Sequence, residues 1–292
     1  MNRITLVVQP FIKTDTLHEL CASLCNCTGI EDLRLIFWCD SSKGSRKEDV
    51  HAPLQREVMQ FLDGFRQNSS GLFESVEIHE NPENLGPYKT CKIAIDYAFR
   101  DSSYVVFAED DVVFSRDAIL WFKGMRDLGV LTREEIWAVA GESVFFDARK
   151  AEIPPGLVED AIAAANAQVL ATQYIQHKFV PSTCFATSRE KWQEFGSTRG
   201  EPAGDVKVCE RCEAENKFSI FPIVARAKDT GMLHALGYSV MLHTKENVAE
   251  HKQTYLLSDM LTPMPELGFQ EFQGNAGLLF QQSTLLEGFK HR

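Results

Sequence analysis

The chain has no hydrophobic run that approaches the length of a membrane span. Its opening stretch, MNRITLVVQPF, has one early Arg and too short an apolar segment to read as a secretory signal, so cytoplasmic residence is the expectation. Positive charge is in deficit: 30 Lys and Arg face 41 Asp and Glu, for a net charge of −11. That balance excludes a general nucleic-acid binder, whose phosphate contacts need a basic footprint. Cysteine is thin, at 8 in 292 residues, which excludes a disulfide scaffold and leaves the thiols reduced. Cys209 and Cys212 have zinc-like spacing, but no second pair of that kind follows. Internal repeats and low-complexity tracts are missing. So is a Gly-rich basic loop after the first apolar run, where QPFIKTD stands, and this weighs against a nucleotidyltransferase.

What is present is ordinary globular composition, 44% hydrophobic and 24% charged, in a chain long enough to bury a sizeable core. Short β-branched or aromatic runs at Ile4 to Val8, Leu33 to Cys39, Phe73 to His79 and Tyr104 onward alternate with segments of helical periodicity at Leu17 to Cys27, Leu54 to Phe65 and Tyr88 to Phe99. Such alternation predicts an α/β fold: a mixed, mainly parallel sheet flanked by helices. Asp117 opens a further amphipathic helix, and Ile136 to Ala140 reads as a fifth strand. The pattern then breaks at Pro154-Pro155-Gly156 and an Ala-rich stretch from Val158 to Leu170, which reads as a substrate-facing insertion. Ser188 is the expected N-cap of the helix holding Trp192 and Phe195. The loop STRGEPAGD follows, then a helix from Val206 to Asn216 and a strand from Phe218 to Val224. Trp121, Trp137 and Trp192 are expected to fill the core.

The most informative stretch is YVVFAEDDVVFS, Tyr104 to Ser115, in which a buried strand runs into Glu109, Asp110 and Asp111. Three crowded carboxylates are expensive to desolvate, so a cation is expected beside them. Hard oxygens suit Mg²⁺ or Mn²⁺, which bind through one or two carboxylates plus ligand phosphates. The alternative is a solvated strand end that caps the next helix. In parallel sheets ligands collect outside the carboxyl ends of the strands. Three polar ends fit that address: Gln9 to Lys13 (with Pro10), Asp40 to Ser42, and Glu109 to Asp111.

The segments NLGPYKTCKIAIDYAF and YVVFAEDDVVFSRDAILWF, with the later FPIVARAKDTG, resemble the GT-A glycosyltransferases, which carry a Rossmann-like sheet. More narrowly, they are similar to the N-acetylglucosaminyltransferases that act on N-glycan mannose and to inverting family-two-like bacterial transferases. The resemblance implies a single GT-A domain over 1–292, with a nucleotide-sugar-binding half at 1–143 and an acceptor-binding and catalytic half at 144–292. It implies a Mn²⁺ (or Mg²⁺) ion held by Asp111, Glu109 at the donor sugar or supporting the groups that hold the ion, Asp110 at ribose or a metal-bound water, and Asp40 at the uracil edge. Pro10, Lys13, Lys89, Lys92 and Arg226 are the further candidates for nucleotide or phosphate contact. Arg226 alternatively supports an acid, and Asp40 alternatively solvates its loop or caps a helix. Asp205 resembles the catalytic acid of an inverting transferase, deprotonating the acceptor hydroxyl. Its bland alternative is a helix N-cap, and Glu210 and Glu213 are the reserves. His243 is a candidate third metal ligand, with His234 behind it; a structural His is the alternative. The implied partners are a UDP-linked donor and a glycan or other hydroxyl acceptor, with a nucleotidyltransferase or a non-catalytic nucleotide- or glycan-binding module as alternatives.

Overall fold

The computed structural model describes residues 3–143, 172–222, 224–231 and 234–237, together with the backbone of Gln270–Glu271. The Ala-rich stretch, the Pro154 break and His243 lie outside the described residues. The first half alternates as expected: β1 (Ile4–Gln9), α1 (Thr14–Cys25), β2 (Leu33–Cys39), α2 (Glu48–Asn68), β3 (Ser75–Glu80), α3 (Gly86–Ala98) and β4 (Tyr104–Glu109). Then come the short β5 (Val112–Phe114), α4 (Ala118–Asp127) and β6 (Ile136–Ala140). The later described elements are β7 (Gln173–His177), β8 (Cys184–Ser188), α5 (Arg189–Arg199), α6 (Gly204–Ala214), β9 (Phe218–Pro222), β10 (Ala227–Asp229) and β11 (Gln270–Glu271).

The main sheet has nine strands in the order β11-β7-β9-β6-β8-β4-β1-β2-β3. Strands β3, β2, β1, β4, β6 and β9 run one way and β8, β7 and β11 the other. This is the mixed, mainly parallel α/β sheet that the alternation predicts, and strands from both halves of the chain enter it. Apolar runs without alternation, such as YVVFAE in β4, arise because both faces of the sheet are covered. Ile4, Leu6 and Val8 of β1 pack with Leu17 and Leu20 of α1, Val58 and Leu62 of α2, and Trp121 and Phe122 of α4. Val7 of β1 turns to the opposite face, with Ile95 of α3, Phe195 of α5 and Val208 of α6. The period-2 geometry of a strand thus sorts alternate residues into two cores.

Several boundaries differ from expectation for local reasons. The acidic run does not continue as one strand: it turns at Asp110 and Asp111, and β5 leaves the main sheet to pair antiparallel with β10. Helix α5 extends through Arg199, so the first residues of STRGEPAGD are helical. Ser188 caps α5, its hydroxyl accepting from the Lys191 amide at 3.3 Å. Trp121, Trp137 and Trp192 are buried. Cys212 is buried with Cys209 packed against the same core, and burial pushes their thiols up to about 12 and about 11.

Candidate functional site

The parallel pairing of β1 with β4 sets Gln9 opposite Glu109, and the Asp40 amide donates to the Pro10 carbonyl at 3.2 Å. The polar ends of β1, β2 and β4 therefore meet at one edge. Beyond β4 the chain folds back through Asp110 and Asp111. The amide and hydroxyl of Thr230 both donate to the Asp111 carbonyl at 2.8 Å, fastening the turn after β10 to the acidic turn. Gly231 is essential to that approach, because a Cβ there would overlap the Asp111 carboxylate. Pairing of Val112 with Asp229 brings a fourth acid alongside.

The cation demanded by this edge is supplied from within. Lys13 Nζ forms ion pairs with Asp110, at 2.7 Å, and with Asp111. Burial alone would lower the Lys13 pKa, but the charges of Asp110 and Asp111 outweigh it and raise the ammonium's pKa above its usual range. The charge expected to meet a nucleotide phosphate is here engaged by protein carboxylates. Asp110 also accepts from the Phe11 amide at 3.1 Å, and burial, opposed by Lys13, leaves its carboxyl pushed up to about 6. Pro10 is buried.

Neutralisation is incomplete. Glu109 is raised well above the usual carboxylate range, first by burial and then by the charges of Asp111 and Asp229. Asp111 Oδ1 is buried with no hydrogen-bond partner. Among the described residues no group of three or more His, Cys, Asp and Glu converges as a ready-made metal cage. The donor chemistry nevertheless suits one hard divalent ion, because Asp111 offers a free carboxylate oxygen and such ions complete their shells with ligand phosphates and water.

Asp40 is engaged by neighbouring donors, as its alternative reading has it. Its Oδ1 accepts from the amides of Ser41 (3.0 Å) and Leu85 (2.9 Å) and from Asn81 Nδ2 (2.9 Å). Its Oδ2 accepts from the Gly86 amide (2.8 Å) and Asn84 Nδ2 (3.1 Å). With five donors on two oxygens and 4% exposure, the carboxylate has little capacity left for a base edge. It organises the entry to α3 instead. Arg226 is 1% exposed and donates to Asp117 at 2.8 Å and to the Val224 carbonyl, in keeping with the alternative that it supports an acid. Lys92 pairs with Asp96 one turn along α3, on the side that meets α5. Lys89 is exposed in the first turn of α3.

Asp205 is not an N-cap. It lies inside the first turn of α6, behind Ala203, which holds the cap position in a left-handed conformation without a side-chain bond. Burial, then the nearby Asp205 charge, pushes the Tyr88 hydroxyl up to about 12. Asp205 Oδ1 is buried and unpartnered. Glu210 and Glu213 are exposed. His234 bonds to Asp15 at 3.0 Å and accepts from the Leu236 amide, a structural arrangement.

Tyr88, Arg199, Asp229 and Gly231 join the site without having been singled out from the sequence. Arg199 is 3% exposed, its Cζ lies 5.4 Å from the Tyr88 ring centre, and it is the cation besides Lys13 that offsets Glu109. The available signal was position: Arg199 stands in the Gly-containing segment just before Asp205.

No protein-family model and no curated protein matches the chain. Among solved structures it is similar to the mannosyltransferase PcManGT from Pyrobaculum calidifontis in complex with GDP-Man and Mn²⁺, at 12% identity and a TM-score of 0.47, over 77% of this chain and 57% of that one. It is also similar to S. aureus TarS 1-349, at 11% identity and a TM-score of 0.45, over 86% of this chain and 70% of that one. The same TarS fragment in complex with UDP gives 11% identity and a TM-score of 0.44, over 77% and 59%. The chain thus spans little more than half the length of the mannosyltransferase, and the likeness to all three is one of remote outline.

Proposed function

We propose that the protein is a metal-dependent glycosyltransferase that moves a sugar from a nucleotide donor, UDP-linked, to an acceptor hydroxyl with inversion. The observation that carries this reading is the buried Asp111 Oδ1 at the carboxyl ends of the strands, which lacks a partner. A Mn²⁺ or Mg²⁺ ion bound at Asp111 would neutralise the charge that develops on a departing diphosphate. Asp111 would hold that ion. Glu109 would contact the donor sugar. The acceptor oxygen attacks the anomeric carbon, the bond from that carbon to the diphosphate oxygen breaks with its electron pair leaving on the diphosphate, and the hydroxyl proton passes to the Asp205 carboxylate. His243 remains a candidate further ligand, and Lys89 a candidate diphosphate contact.

Lys13 favours a second reading. Because its ammonium already bridges Asp110 and Asp111, the same cleft would serve as a nucleotide- or glycan-binding module that needs neither ion nor turnover. Incubation with a panel of UDP- and GDP-sugars and Mn²⁺ separates the two. The transferase reading expects release of nucleoside diphosphate that falls by at least about 100-fold in Asp205→Asn, as loss of a general base requires. Binding without release, in the wild-type chain across the panel, supports the module.

A further inference from the structure

Two buried polar atoms at this edge lack partners, one a donor and one an acceptor. Arg199 Nη2 donates to the Ser182 carbonyl at 3.2 Å, while Nη1 is buried with nothing to bond. Asp205 Oδ1 is buried with no donor. Both residues neighbour Tyr88, Arg199 lying across its ring face and Asp205 close enough for its charge to act on the phenol, yet no ion pair joins them to each other among the described residues. Local chain geometry brings them together. Gly204 packs so closely on the end of α5 that a Cβ would overlap the Arg199 carbonyl oxygen, and Ala203 adopts φ 55° to reverse the chain. Asp205 is thereby returned to the helix end that carries Arg199.

A buried guanidinium N–H without an acceptor, and a buried carboxylate oxygen without a donor, each cost free energy. Direct pairing would have relieved both. A single group that is donor and acceptor at once relieves both as well, and a hydroxyl is such a group. A carboxylate or phosphate would satisfy Arg199 but meet the charge of Asp205. We propose that Arg199 and Asp205 form a sugar-hydroxyl clamp, Arg199 Nη1 donating to the hydroxyl oxygen and Asp205 Oδ1 accepting its hydrogen. In the transferase reading, on which this rests, the clamped hydroxyl is that of the acceptor. Arg199 is then a positioning residue: it orients the oxygen and eases loss of its proton.

The test uses the full chain, a set of methyl glycosides observed by saturation-transfer NMR, and calorimetric titration with UDP and GDP in the presence of Mn²⁺. Arg199→Met removes the donors at similar length, and Arg199→Lys restores one. The expected result is weaker glycoside binding in Arg199→Met by about tenfold, the loss of one charge-assisted hydrogen bond, with partial recovery in Arg199→Lys. Circular dichroism and thermal unfolding verify that the variants are folded; should Arg199→Met not fold, Arg199→Lys alone must show weakened glycoside binding. Equal glycoside binding in wild type and variants, or none in wild type, overturns the clamp and leaves a solvent site. Failure of wild type to bind any nucleotide while glycosides still bind overturns the transferase reading and leaves the clamp standing.

Discussion

Lys13 decides how the acidic turn is balanced. Its ammonium bridges Asp110 and Asp111 from a strand-to-helix loop, 13% of its side chain exposed. Breaking a buried pair by removing one partner is far more damaging than its net worth, because the remaining charges stay buried. Lys13→Met is therefore expected to lower unfolding free energy by ~3–5 kcal/mol in urea titration. The same change leaves two carboxylates that a divalent ion can neutralise, so Mn²⁺ is expected to raise the Tm of the variant more than that of wild type. Equal Mn²⁺ responses would show that Lys13 and the ion do not compete for one place. The triplet's need for a cation was legible in the sequence, since three consecutive acids close an apolar strand. Which cation answers it was not, because Lys13 is nearly a hundred residues away and its reach depends on β1 lying beside β4.

Asp40 shows how one side chain governs an element. It gathers the amides of Leu85 and Gly86 and the amide groups of Asn81 and Asn84, and Asn81 in turn donates to Thr90 Oγ1 at 2.8 Å and accepts from Trp38 Nε1 at 2.8 Å. Helix α3 thus begins on a carboxylate supplied by β2, a pairing that the helix dipole reinforces. Asp40→Asn replaces one acceptor oxygen by a donor facing other donors, and is expected to destabilise by ~2–4 kcal/mol in chemical denaturation. Nucleotide affinity measured on the folded fraction is expected to survive, which contact between Asp40 and a base would not allow. The sequence placed an acid after β2 correctly but could not reveal its partners, which sit in a turn more than forty residues on. Similarly, Asp before VKVCERC reads as an N-cap, and only the left-handed Ala203 shows that the helix starts two residues earlier and frees the carboxylate. Element types were legible from periodicity; the detachment of β5 was not, since VVF continues the apolar pattern of β4 and only β10, more than a hundred residues later, draws it away.

At the scale of the molecule, a sheet covered on both faces leaves its strand ends as the place where charge can collect, and the described polar ends of β1, β2 and β4 do collect there. The described helices include none long and apolar enough to cross a membrane. Candidate acids were legible as a set because they follow strands, whereas Arg199, Asp229 and Gly231 were not, because their importance comes from long-range packing. The central claim is that this edge binds a nucleoside diphosphate together with a divalent ion at Asp111. The most direct measurement is calorimetric titration of UDP and GDP into wild type and Asp111→Asn, each with and without Mn²⁺. The account predicts that Mn²⁺ tightens diphosphate binding to wild type by at least about tenfold and does not do so in Asp111→Asn. Diphosphate binding that is absent from wild type, or equally tight with and without Mn²⁺, would contradict it.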